Sequence, residues 1–292
     1  MGAFEKILNI LDVTKYNYKK LIFFPIGLVL VAVIILSTMG VNLGVDLRGG
    51  TLATVNGVSY SPELQNYLIT NLNDPTIKVR SIYSPLTEGF IIETGPDVDS
   101  TKLINLINDK YPGAAISVQN IGPSLGASFL EQGIQAVLLA FLFMAIIVFI
   151  AFRVPIPSGA VVFAAFSDML VALAFMSVTG IELSRYTIAA ILMLIGYSVD
   201  TDILLTTRVL KEKGDDLNQR IRNAMKTGLM MTFTTLAALS SLYIFSTSEV
   251  IDDIAIVLIF GLLADLIMTW IFNTGVLKWY VLRIGKEGES DE

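Results

Sequence analysis

The chain has 292 residues, 54% of them apolar and only 16% charged, well below the roughly 25% charged of an ordinary soluble chain. It contains no cysteine and no histidine, which excludes disulfides, thiolate metal sites and imidazole catalysis and leaves any proton chemistry to carboxylates. A net charge of −6 argues against nucleic acid as a partner.

Residues 1–20 carry Lys6, Lys15, Lys19 and Lys20 ahead of an apolar run at 21–39. That run is long and lacks a small-residue cleavage site, so it reads as a retained anchor rather than a leader. Crossing a bilayer takes about 20 apolar residues. Five more such runs lie near 133–152, 159–178, 186–205, 229–247 and 254–276. Between the first two runs, residues 45–130 form a separate domain. Its apolar pattern predicts strands at 51–56, 77–83, 89–94 and 115–120. Helices are predicted at 62–72, after a candidate cap at Ser61, and at 100–111. The order β-α-β-β-α-β is the ferredoxin-like arrangement. The predicted fold is therefore an α-helical polytopic membrane protein of six spans with an external α+β ferredoxin-like domain between spans one and two. The first span is assigned to 21–44, the remaining five to 131–280, and an acidic tail to 281–292. Within the outer domain Glu63, Glu93, Asp97 and Asp99 read as scattered solvated charges.

Lys and Arg gather on the cytoplasmic side of short loops. With residues 1–20 inside, the inner segments hold those four lysines, Arg153, the group from Arg208 to Lys226, and Lys278, Arg283 and Lys286; the short outer loops hold Arg185. Both termini are expected in the cytoplasm and residues 45–130 outside a cell membrane, with lipid around the spans.

Four aspartates interrupt the apolar runs: Asp168 in the third, Asp200 and Asp202 in the fourth, Asp265 in the sixth. Each costs about 2.5–3.5 kcal/mol at a helix centre. Left charged and facing lipid, the four would cost on the order of 10 kcal/mol, so they must face protein or water. At about 100° per residue, Asp200 and Asp202 point about 200° apart. Tyr197, Asp200 and Leu204 share one stripe, and Ser198, Asp202 and Thr206 another. Span five adds the hydroxyls of Thr232, Thr234, Thr235, Ser240 and Ser241, and the nearest cation is Arg208. Two readings stay open from these residues. The carboxyls either pin helices together by hydrogen bonds of roughly 0.6–2 kcal/mol each, or relay an ion from one side of the membrane to the other.

At the membrane borders stand Asp46-Leu47-Arg48-Gly49-Gly50 after span one, read as a turn into the first strand, and Ile121-Gly122-Pro123 with Gly126 before span two. The latter reads as a turn ahead of a helix capped by Ser124 or Ser128. Neither carries the Lys-Ser/Thr of a nucleotide loop, so no nucleotide or other cofactor is expected. Together with Gly196-Tyr197-Ser198 in span four, Arg208 at its end and Thr232-Phe233-Thr234-Thr235-Leu236 in span five, these motifs resemble the SecD/SecF protein-export family. That family belongs to the resistance-nodulation-division superfamily; the likeness is to its SecF-type subunits, in an archaeal-like variant, and covers essentially the whole chain.

The resemblance implies a non-enzymatic subunit that pairs with SecD beside a SecY-type channel. It would use a proton or sodium gradient to help draw exported polypeptides outward. Asp168 carries over from a His-Asp pair in which Ser167 replaces the histidine. In span four many bacterial members read Gly-Tyr-Ser-x-Asn-Asp-Thr, and the family aspartate falls here on Thr201. Asp200, Asp202 or both inherit its role, with a preference for Asp200 beside Tyr197. Asp265 has no aligned counterpart. The competing readings are half of a small-molecule or lipid exporter, and a scaffold that steadies a neighbouring channel.

Overall fold

Six helices long and apolar enough to cross a membrane form over the six apolar runs in the structure, a computed structural model that describes residues 12–83, 88–212, 216–246 and 248–290. Lys6, Asp291 and Glu292 lie outside the described residues. Helix α1 (Tyr18–Met39) starts where the Asn17 side chain accepts from the Lys19 amide, and it ends at Gly40, whose φ of 70° lies in the left-handed region. Next come a single turn of helix, α2 (Val45–Arg48), and then β1 (Gly50–Asn56), α3 (Glu63–Leu72), β2 (Lys78–Tyr83), β3 (Glu88–Thr94), α4 (Ser100–Lys110) and β4 (Ala115–Ile121). The remaining spans are α5 (Pro123–Phe152), α6 (Pro155–Thr179), α7 (Arg185–Lys211), α8 (Leu217–Phe245) and α9 (Glu249–Ile267). A π-helical segment, Met268–Asn273, joins α9 to α10 (Thr274–Ser290), so the last span is one continuous rod.

The outer domain has the predicted β-α-β-β-α-β order, with strand order β2-β3-β1-β4 and every neighbour antiparallel. Alternation along the strands sorts its two faces. Ala53, Val55, Val79, Phe90 and Ile92 meet Leu64 and Leu68 of α3 and Leu103 and Ile107 of α4 in one buried core. The alternate residues Leu52, Thr54, Arg80, Ile91, Glu93 and Gln119 line a cleft shared with the outer ends of the spans.

Several local expectations change. The Asp46–Arg48 stretch is a helical turn rather than a β-turn. Helix α5 begins at Pro123 itself, well ahead of the apolar run, because proline's fixed φ and missing N–H suit the first helical position; neither Ser124 nor Ser128 caps it. Pro62 rather than Ser61 is the cap of α3, and no side-chain bond is made there. The backbone of residues 281–290, assigned to the acidic tail, continues α10.

The border glycines meet in one close-packed knot. Gly49 has φ of 82°, and a Cβ there would lie 2.8 Å from Pro123 Cα. Gly50, at φ 140°, would place one 2.2 Å from the Thr94 carbonyl oxygen. Gly126 lets α5 ride against the Leu47 carbonyl, where a Cβ would sit at 2.8 Å. Only glycine permits these approaches, so both sequence motifs serve the joint between the outer domain and the bundle. Asp46 adds a polar tie, accepting from the Arg185 amide at 2.7 Å and from its Nε at 3.3 Å.

Within the bundle, half or more of α6, α7 and the last span is buried, whereas α1, α5 and α8 present most of their surface outward. Apolar side chains of α5, α6, α7 and α9 form the main core around Val148, Met176, Leu194 and Val257. A second cluster packs Leu205, Met225 and Leu229 around Trp270 toward the α8 and α10 side.

Candidate functional site

The three central helices bring Asp168, Asp202 and Asp265 together, each fully buried. Asp168 comes from α6, Asp202 from α7 and Asp265 from α9. Hydroxyls of α7 and the π segment fill the spaces between them. Ser198 donates to Asp168 Oδ2 at 2.6 Å. Thr201 Oγ1 lies 3.1 and 3.3 Å from the two Asp265 carboxyl oxygens. Thr269 Oγ1 stands between carboxyls, 2.8 Å from Asp265 Oδ1 and 2.7 Å from Asp202 Oδ1. Asn273 Nδ2 donates to that same Asp202 oxygen. The result is a string, Asp265, Thr269, Asp202 and Asn273, with the Asp168–Ser198 pair buried beside it.

The string follows from helix geometry. In α7, residues 198, 201 and 202 fall on one face by three- and four-residue spacing. In the last span, Asp265, Thr269 and Asn273 are spaced by four, and in a pure α-helix each step of four drifts about 40° around the axis. The π segment from Met268 to Asn273 has wider turns and opposes that drift, keeping the three side chains aligned toward α7.

Thr269 has a single hydroxyl proton and two carboxyl oxygens within 2.8 Å. It can donate to one; the other short contact requires a proton on that carboxyl or a cation shared by the pair. Asp168 Oδ1 and Asp202 Oδ2, both buried, make no hydrogen bond, and among the described residues no Lys or Arg pairs with any of the three carboxylates. Carboxyls so placed hold a proton or a small cation, since three bare charges in a dry interior would be prohibitive. No group of three or more metal-ligating side chains forms a metal site among the described residues.

The other candidate residues go elsewhere. Asp200 and Tyr197 lie exposed with Gly196 along the outer stripe of α7, pointing away from the string. Of the two neighbouring aspartates it is thus Asp202 that joins Asp168 and Asp265, in place of the preferred Asp200. Arg208 pairs with Glu212 one turn on and does not reach the carboxyls. Thr232, Thr234 and Thr235 bond to carbonyls of their own helix, at Gly228, Met231 and Met231, so α8 adds no hydroxyl to the string. Arg48 lies 3.7 Å from Glu93. Glu93 itself, expected in solvent, is 2% exposed on the bundle-facing side of β3.

Sequence reasoning missed Thr201 as a ligand, and Thr269 and Asn273 altogether. The available signal was the four-residue spacing of Asp265, Thr269 and Asn273 within an otherwise apolar run.

Comparison with known proteins agrees along the whole chain. Residues 103–283 match the model of the protein export membrane protein SecD/SecF, C-terminal, and residues 34–56 match the SecD/SecF GG motif. A protein-export membrane protein SecF of Thermococcus gammatolerans is 46% identical over 270 residues, covering 90% of this chain and 85% of that protein. The SecF of Pyrococcus furiosus is 44% identical over 284 residues, covering 97% and 96%. The crystal structure of SecDF, a translocon-associated membrane protein from Thermus thermophilus, superposes with a TM-score of 0.75 at 20% identity, over 90% of this chain and 38% of that one.

Proposed function

The chain belongs to the SecD/SecF family of protein-export membrane proteins, and from that premise we propose that it acts as the SecF-type half of an ion-driven export auxiliary. It pairs with a SecD partner beside a SecY-type channel in the cytoplasmic membrane. Both termini are inside, as the Lys and Arg distribution supports, and the outer domain meets exported polypeptides as they emerge.

One observation carries the reading: three buried carboxyls gather among hydroxyls where the three central helices meet, two of them bridged by Thr269, with no Lys or Arg of the described residues paired to them. A string of this kind moves a proton by exchanging donors and acceptors, or seats a sodium ion among oxygen ligands. Each occupancy changes which oxygens repel and which bond. Loading and unloading therefore bias how α6, α7 and the last span pack, and the glycine knot at Gly49, Gly50 and Gly126 transmits that change to the outer domain. The exposed stripe of Gly196, Tyr197 and Asp200 supplies the partner contact, because an aspartate on a span surface is costly unless protein covers it.

Single replacement of Asp168, Asp202 and Asp265 by Asn, with gradient-dependent export of a secreted protein measured in vesicles containing the partner, tests the proposal. Loss of gradient stimulation with retained partner binding supports it. Normal stimulation in all three variants favours a scaffold. Unchanged protein export in a deletion strain that has become sensitive to a small toxic compound favours an exporter half.

A further inference from the structure

The string ends at Asp202 and Asn273, and the residues that follow on the same helix faces are apolar. On α7, Leu205 and Val209 succeed Asp202 at helical spacing; on the last span, Leu277 succeeds Asn273. All three are buried, and they form one cluster with Leu21, Trp270 and Val13. Val13 comes from outside the spans: residues 12–16 make a short strap ahead of α1, with one tight helical turn at Val13–Lys15. The strap is tied down from the far end of the chain. Lys278, 8% exposed, donates from Nζ to the Thr14 carbonyl at 2.8 Å and to the Tyr16 carbonyl at 3.2 Å. We propose that residues 12–16 are the cytoplasmic gate of the carboxyl string and that Lys278 holds the gate shut, an inference that rests on reading the string as an ion path.

An ammonium group leaves water only where acceptors replace its hydration. Here the acceptors are backbone carbonyls of the strap, so the strap permits the burial of Lys278 and Lys278 in turn fixes the strap. Asp12 adds a second tie. Its carboxylate accepts from the Thr14 amide and hydroxyl, which sets the turn, and it stands 3.7 Å from Arg222 of α8. The other side of the strap faces outward, with Lys15 and Tyr16 exposed. Release strands no charge: close to the end of a span, the flexible stem of a lysine carries its ammonium to the interface once the carbonyls depart. Val13 leaves with the strap and opens the cluster beside Leu205 and Val209 to water from the cytoplasm. The first polar atoms that water would meet are Asp202 Oδ2 and Asn273 Oδ1, both buried and both without a hydrogen bond. Closed, the strap separates the string from the cytoplasm; open, it connects the two.

Because the chain has no native cysteine, a single introduced thiol reports access to the space behind the gate. Thr206→Cys, at a buried site between Asp202 and Val209 on α7, should react slowly with a small cationic thiol reagent added to the cytoplasmic side of vesicles holding the full-length protein. Lys278→Met should raise that rate about tenfold or more, since access tracks the opening equilibrium. Lys278→Arg, which keeps the donors, should stay near the native rate. Val13→Ser changes the plug without altering a span and should raise the rate as well. Ala190→Cys, buried in the outer half of α7, should stay protected in every background. Native-rate labelling of Thr206→Cys in either Lys278→Met or Val13→Ser would overturn the proposal, as would an equal rise at Ala190→Cys, the mark of a loosened bundle. Labelling does not depend on conduction: a rise confined to Thr206→Cys in a complex that carries no ion current would support the gate and refute the ion path.

Discussion

Replacing Thr269 by Val removes one hydroxyl from the middle of the string while keeping the side chain's size and branching. The residue is fully buried, so packing is retained and the change is confined to the 2.7 and 2.8 Å contacts with Asp202 and Asp265. Asp202 still has Asn273 and Asp265 still has Thr201, which keeps each carboxyl partnered and the helices in place. The stability loss is that of an interhelical hydrogen bond inside a membrane, about 0.6–2 kcal/mol, or roughly 3- to 30-fold in an equilibrium between packing states. Function should fall further, because the hydroxyl that bridges the two carboxyls is removed: gradient-stimulated export drops at least tenfold while unstimulated export persists. The assay is export into sealed vesicles with the partner present, with and without an imposed gradient. A double-mutant cycle with Asp265→Asn should be strongly non-additive, since both changes break the same link. Native stimulation in Thr269→Val, or strict additivity with Asp265→Asn, refutes a continuous string.

Gly228→Ala places a methyl 2.3 Å from the indole of buried Trp270 and should cost about 1–3 kcal/mol by overpacking. Thermal unfolding will register it, and Gly159→Ala, with nothing within 4 Å, should be neutral or slightly stabilising. Gly50→Ala, forced to φ 140° against the Thr94 carbonyl, should cost about 3 kcal/mol or more and expose the segment around β1 to limited proteolysis. Asp200→Asn, on the exposed stripe of α7, should leave the chain's own unfolding temperature unchanged and reduce the amount of SecD partner that co-purifies.

The spans and the outer domain were legible because each rests on a strong period. Runs such as 133–152 have only one physical home, and alternation through Thr51–Asn56 and Gly89–Thr94 fixes which side chains meet α3 and α4. The site was legible only in part. Four intramembrane aspartates announce themselves by cost, yet the roughly 200° between Asp200 and Asp202 leaves undetermined which faces inward. That choice is made by tertiary packing: Ser198, Thr201 and Asp202 turn toward the last span, and Asp200 turns away. Thr269 and Asn273 are ordinary polar interruptions until the π segment aligns them with Asp265. Glu93 misleads for a similar reason. A glutamate in a strand reads as solvated until another part of the chain, here Glu182 and the helix ends, covers that face of the sheet.

The most direct test is ion flux itself. In proteoliposomes holding this chain with the proposed SecD-type partner, an imposed gradient should drive a proton or sodium current, read by an internal pH or sodium dye. The current should vanish in the Asp202→Asn, Asp265→Asn double variant while the complex stays assembled. A flux of native size through that variant would contradict the assignment of ion movement to the buried carboxyl string.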